Sequence, residues 1–180
     1  METEVADGNK PSDRKVLYMN INKYDIRFTC DRIGRLIKEK SYDYDSEKAL
    51  INSPEKAADL LFYAFDAANL AQEYFWLISL NAQLRVIGIF TVSIGTLVTS
   101  LAHPREIFQR AILSGAASII VAHNHPSGVL KISDSDLEVT TRLEQAGELL
   151  GIKLEDALIL GNGDYVSIRQ SGAMRLSLRL

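Results

Sequence analysis

The chain has 180 residues, of which 47% are hydrophobic and 24% charged, with a formal net charge of -3. That describes one globular domain with a short addition, large enough to bury a core without disulfide staples. The near-neutral charge excludes a strongly basic nucleic-acid binder at the level of the whole chain, and the single cysteine, Cys30, excludes a disulfide framework or a cysteine-rich zinc finger.

Residues 1–13 carry Glu2, Glu4, Asp7 and Asp13, with Gly8 and Pro11 and no apolar core, which is unlike a secretory signal. They read as a disordered tail. No apolar run is long enough for a transmembrane helix, so no membrane partner is expected. With one lone thiol, the expected compartment is the cytoplasm. Residues 14–52 are charge-dense and offer one strand, Val16–Ile21. They read as an N-terminal appendage of unassigned role.

The punctuation sharpens at Ser53-Pro54-Glu55, where serine caps a helix and proline takes its first position. Ala57, Leu60, Leu61, Ala64, Phe65 and Ala68 follow at helical spacing, predicting a helix to about Gln72. Tyr74–Leu80 and Val86–Val92, separated by a short polar break, predict an antiparallel hairpin. His103-Pro104 opens a second helix, with Gly115 as its stop. Ala117–Ala122 is a continuous apolar run, as expected of a strand covered on both faces. Ser133 caps a third helix, with Asp136 completing a capping-box pattern and Val139, Leu143, Ala146 and Leu150 as its inner stripe. Ala157–Leu160 and Tyr165–Ile168 form a last hairpin. The expected fold is mixed α/β: one sheet with helices on its faces. Residues 53–172 would make the domain, and 173–180 a tail.

The chemistry gathers at the end of the apolar strand. His123 and His125 are two of the three histidines and stand at i and i+2, on one face of a strand. Two imidazoles so placed can share a metal, and Asp136 at the following helix start can add an oxygen. Two nitrogens and one carboxylate leave a fourth position open for water, the arrangement of catalytic zinc. A carboxylate must then act as general base. Glu73, just ahead of a strand, is the first candidate. Glu106 is the second, although an acidic residue in a first helical turn is also explained by the helix dipole.

His123-Asn124-His125-Pro126-Ser127-Gly128, followed by Ser133 and Asp136, has the form His-x-His-x7-Ser-x-x-Asp. This resembles the metal-binding motif of the JAMM (MPN+) metalloprotease-like superfamily. Within it, the chain is most similar to the bacterial RadC family, which carries His-Asn-His-Pro-Ser-Gly. Further likeness lies in Gln72-Glu73-Tyr74-Phe75, Ile94-Gly95-Thr96-Leu97, His103-Pro104-Arg105-Glu106, Asp136 with Thr140, and Tyr165-Val166-Ser167. The resemblance implies a JAB/MPN-like (cytidine-deaminase-like) three-layer sandwich. It implies zinc held by His123, His125 and Asp136, with Glu73 as the catalytic glutamate. Ser133 would hydrogen-bond the water or the reaction oxyanion. The implied activity is hydrolysis of an amide substrate, peptide or isopeptide. The family's traditional link to DNA repair supplies an alternative, an accessory protein with a structural metal site.

The chain departs from the family's pattern in three places. Val129-Leu130-Lys131-Ile132 replaces a loop that usually carries an acid and a second proline. Asp156-Ala157 stands where the family often has Asp-His. Residues 1–52 show no helix-hairpin-helix pattern. Nucleic-acid contact would fall to Arg169, Arg175 and Arg179 near the C-terminus, a feature more often a solvated end. His103 reads as an exposed residue before proline, Cys30 as an inert, partly buried thiol, and Phe75 and Trp76 as core. Exposed sheet edges make a dimer one expected oligomeric state.

Overall fold

The structure is a computed structural model that describes residues 16–95 and 103–173. The expected tail at 1–13, Thr96-Leu97, and Arg175 and Arg179 lie outside the described residues. The elements are β1 (Tyr18–Phe28), β2 (Gly34–Asp45), α1 (Pro54–Phe65), β3 (Glu73–Leu80), β4 (Val86–Gly95), α2 (Pro104–Leu113), β5 (Ser118–Asn124), α3 (Asp134–Leu150), β6 (Lys153–Gly161) and β7 (Asp164–Ser167). The seven strands form one sheet in the order β2-β1-β4-β3-β5-β6-β7. The β1–β4 and β5–β6 pairs are parallel and the others antiparallel. Among the described residues, no helix is long and apolar enough to cross a membrane.

The sheet is covered on both faces. Trp76, Ile78, Ile120, Ala122 and Leu158 pack with Ala57, Leu60 and Leu61 of α1. Phe75, Leu77, Val121 and Ile159 pack on the other face with Ile107 and Phe108 of α2 and Leu143 of α3. The fold is therefore mixed α/β, in three layers. Double coverage explains why every residue of β5 is buried and why its sequence shows no alternation.

Three expectations are corrected in detail. The first helix ends at Phe65, short of Gln72, because Asp66 takes a left-handed conformation (φ 52) and its N–H returns to the Phe62 carbonyl. Asn69 locks the stop by donating to the Asp66 carboxylate at 2.7 Å. The strand expected at Val16–Ile21 starts at Tyr18, runs on to Phe28, and is followed by a second strand, β2. This hairpin joins the sheet where Lys23 of β1 meets Ile89 of β4. It also rests on α1, since the Tyr63 hydroxyl donates to the Asp43 carbonyl at 2.8 Å. The expected stripe of α3 holds in part: Leu143 is buried and Val139 and Ala146 pack half-buried on the same core, whereas Leu150, the last helical residue, is 47% exposed. The buried side also takes in Asp136, Thr140 and Gly147, so an acid opens it.

The loop after β5 hooks over the end of β6. The His125 N–H donates to the Leu160 carbonyl at 2.8 Å, and the Gly128 N–H donates back to the His125 carbonyl at 2.9 Å. Gly128 has φ +74, and a Cβ there would stand 2.3 Å from the Asn162 side chain. A Cβ on Gly161 would in turn stand 3.0 Å from the Gly128 carbonyl oxygen. Two glycines therefore allow the approach that fixes His125. Gly128→Ala is expected to lower stability by about 1–3 kcal/mol in urea unfolding. An unchanged midpoint would contradict this account of the loop.

Candidate metal centre

β5 delivers both histidines to one face. His123 is its penultimate residue, and the Phe75↔His123 pair of the β3–β5 ladder places that face on the α2/α3 side. The Phe75 ring stacks on the His123 ring, nearly parallel at 3°, with centroids 6.1 Å apart. α3 covers the strand end and supplies Asp136 from its first turn. His123 Nε2 lies 3.1 Å from His125 Nε2 and 3.2 Å from Asp136 Oδ1. The ligand atoms of all three residues fall within 4.8 Å of one another. His123 and Asp136 are buried and His125 is half-buried, so the cluster opens on the His125 side.

The protons in this cluster are largely determined. His125 Nδ1 stands 2.6 Å from the Val129 carbonyl oxygen, which can only accept, so Nδ1 carries the hydrogen. In the neutral ring, His125 Nε2 is then a bare lone pair facing His123 and Asp136. Asp136 Oδ2 accepts from the Ser133 N–H at 2.8 Å and from the Ser133 hydroxyl at 2.7 Å. Burial alone would raise the Asp136 pKa. The hydrogen bonds from His123 and Ser133 outweigh it and hold the carboxyl at about 2. Asp156 shows the opposite balance. Burial pushes its carboxyl up despite bonds from the Ser167 hydroxyl and the Arg169 and Ala157 N–H groups. Charge on Asp136 is thus favoured by its particular neighbours, not by its being an aspartate in the interior.

The spacing fits a tetrahedral ion. Ligand bonds of about 2.0–2.1 Å at tetrahedral angles separate neighbouring ligand atoms by about 3.3 Å. The two His123 Nε2 separations, 3.1 and 3.2 Å, are close to that value. The hydrogen on His123 Nε2 that bonds Asp136 Oδ1 is the one a bound cation would displace, and all three atoms would then offer it lone pairs.

Ser133 is the N-cap of α3, exposed, with a full capping box to Asp136. Its hydroxyl also meets the Ser135 hydroxyl at 2.8 Å. Glu73 opens β3, across from Gly95 of β4, and is half-buried. The β3–β5 pairing ends at Phe75↔His123, so Glu73, two residues before Phe75, lies at the same end of the sheet as His125.

The other candidates have local duties. Glu106 pairs with Arg105 at 3.1 Å and with Arg110 at 3.7 Å. It lines a groove of about 750 Å³ with Phe28, Phe108 and Ile112, and no residue of the triad lines that groove. His103 caps α2, its Nδ1 accepting from the Arg105 N–H at 3.1 Å. Arg169 bonds the carbonyls of Leu154 and Glu155 and pairs with Glu144 at 3.7 Å. Cys30 is exposed. Trp76 is buried between the rings of Phe65 and Tyr74. Ala157, where the family often has histidine, lies in the α2/α3-side core.

Sequence reasoning assigned no role to Asn124 or to the Val129 carbonyl. Asn124 is an uncharged residue on the far face of the strand and gave no signal. The Val129 carbonyl belongs to the backbone, so it has none to give.

Comparison with known proteins gives the family. The RadC-like JAB domain model matches residues 51–173. A UPF0758 protein of Clostridium kluyveri is 47% identical over 135 residues, covering 75% of this chain and 58% of that protein. A UPF0758 protein of Caldanaerobacter subterraneus subsp. tengcongensis is 44% identical over 126 residues, 70% of this chain and 53% of the relative. The aligned stretch thus spans little more than half of these relatives, whose names state no activity. The chain belongs to the RadC-like JAB domain family.

Proposed function

We propose that the domain is a zinc-dependent hydrolase of amide bonds, acting on a peptide or isopeptide. The observation that carries this reading is the convergence of the ligand atoms of His123, His125 and Asp136 within 4.8 Å, with His123 Nε2 at 3.1 and 3.2 Å from the other two, separations suited to one tetrahedral ion. Those three atoms would hold the metal. When bound, zinc supplies a Lewis acid and brings the pKa of a coordinated water to roughly 7. Three protein ligands, not four, suit a catalytic role over a structural one.

The remaining work falls to the chain's own groups. Glu73 takes the proton from the attacking water and returns it to the departing nitrogen. Ser133, exposed at the mouth of α3, turns its hydroxyl from Asp136 toward the substrate carbonyl oxygen as charge develops there. The Val129 carbonyl keeps His125 in the tautomer that presents Nε2. Phe75 keeps the His123 ring from rotating. One metal with one glutamate is adequate for amide hydrolysis, whereas phosphodiester cleavage commonly uses two metals. The engagement of Arg169 with Leu154, Glu155 and Glu144 removes one arginine from the proposed nucleic-acid contact.

Elemental analysis is expected to find one zinc per chain, lost in His123→Ala and in Asp136→Ala. Retention in either variant would contradict the ligand assignment. Glu73→Gln is expected to keep its zinc and to lower hydrolysis of a fluorogenic peptide or isopeptide panel by about 10²–10⁴-fold. A zinc-loaded Glu73→Gln protein with the wild-type rate would overturn the mechanism.

A further inference from the structure

Asn124, between the two histidines, projects from the opposite face of β5 and is 1% exposed. Its side chain makes two bonds, both to β3 and the residue before it. Oδ1 accepts from the Tyr74 N–H at 2.7 Å, and Nδ2 donates to the Gln72 carbonyl at 2.9 Å. Those two peptide groups flank Glu73.

The strand register explains why a side chain does this work. The β3–β5 ladder stops at Phe75↔His123. One step further on, no β3–β5 pair is formed, while the His125 N–H continues the parallel ladder to β6 by bonding the Leu160 carbonyl. The β3–β5 pairing thus ends at the level of the proposed metal ligands. There the Asn124 carboxamide, in place of main-chain pairing, bonds the backbone on either side of Glu73. Only an amide both accepts from one peptide group and donates to the next in this way. Aspartate lacks the donor, and an aliphatic residue lacks both groups.

We infer that Asn124 is a positioning residue for Glu73, holding its backbone at a fixed spacing from the His123–His125 pair. This rests on the reading of Glu73 and the triad as one site. A buried, doubly bonded carboxamide locks that spacing where a reacting group must be held within about 0.5 Å.

The test uses the whole chain loaded with cobalt(II), a paramagnetic stand-in for zinc, and isotope labelling for NMR. Cobalt enhances the relaxation of nearby nuclei steeply with distance, so the Glu73 side-chain carboxyl reports its spacing from the metal. In Asn124→Ala, cobalt affinity is expected to stay within about threefold of wild type, because Asn124 touches no proposed ligand side chain. The Tyr74 amide should exchange faster. The Glu73 enhancement should fall by at least about twofold, while the amides of Val121 and Leu143 are unmoved. Asn124→Asp keeps the Tyr74 bond and loses only the donation to Gln72, so its effect should fall between the two. A folded, cobalt-loaded Asn124→Ala with the wild-type Glu73 enhancement would overturn the inference. Should that variant not fold, the same result in Asn124→Asp would overturn it. A wild-type protein that takes up no cobalt would instead remove the metal reading, and this inference with it.

Discussion

The site depends on a buried carboxylate. Asp136 is 5% exposed and sits where α3 begins, pressed against the end of β5. Burying such a group costs several kcal/mol unless donors surround it. Here the Ser133 N–H and hydroxyl take one oxygen and His123 meets the other. The capping box therefore does two things. It starts the helix, and it turns a negative charge inward toward two imidazoles. Remove that charge and the helix start loses its polar link to His123 and keeps only its apolar packing.

The rest of the fold supplies rigidity around this point. β5 is buried along its whole length between α1 on one side and α2 and α3 on the other, so the backbone of His123 cannot shift freely. Beyond it, β3–β5 pairing ends. The bond from His125 to Leu160, the close approach of Gly128 and Gly161, and the Asn124 carboxamide fix the chain there. Packing holds one half of the site, and a few hydrogen bonds hold the other, more exposed half.

What was legible in the sequence was local. Two histidines at i and i+2 share a face by the geometry of any strand, and Ser133 with Asp136 form a capping box wherever such a helix starts. The doubly covered strand was legible from its unbroken apolar run. What was not legible depends on contacts far apart in sequence. The β1–β2 hairpin escaped because its register shifts between Lys23 and Tyr24, and because Lys38, Glu39 and Lys40 on the edge strand are all exposed. The centring of α3's buried side on Asp136, Thr140, Leu143 and Gly147 depends on what the helix packs against and not on its own periodicity. Asn124 reads as a spacer between two histidines until its bonds to the two peptide groups around Glu73 are seen.

The central claim is that two imidazole nitrogens and one carboxylate oxygen converge to hold a single ion. Zinc-edge X-ray absorption of the zinc-loaded protein tests it most directly. The account predicts a four-coordinate site with two histidine nitrogens and two oxygen ligands, at about 2.0–2.2 Å. A six-coordinate, all-oxygen spectrum, or one without imidazole scattering, would contradict it.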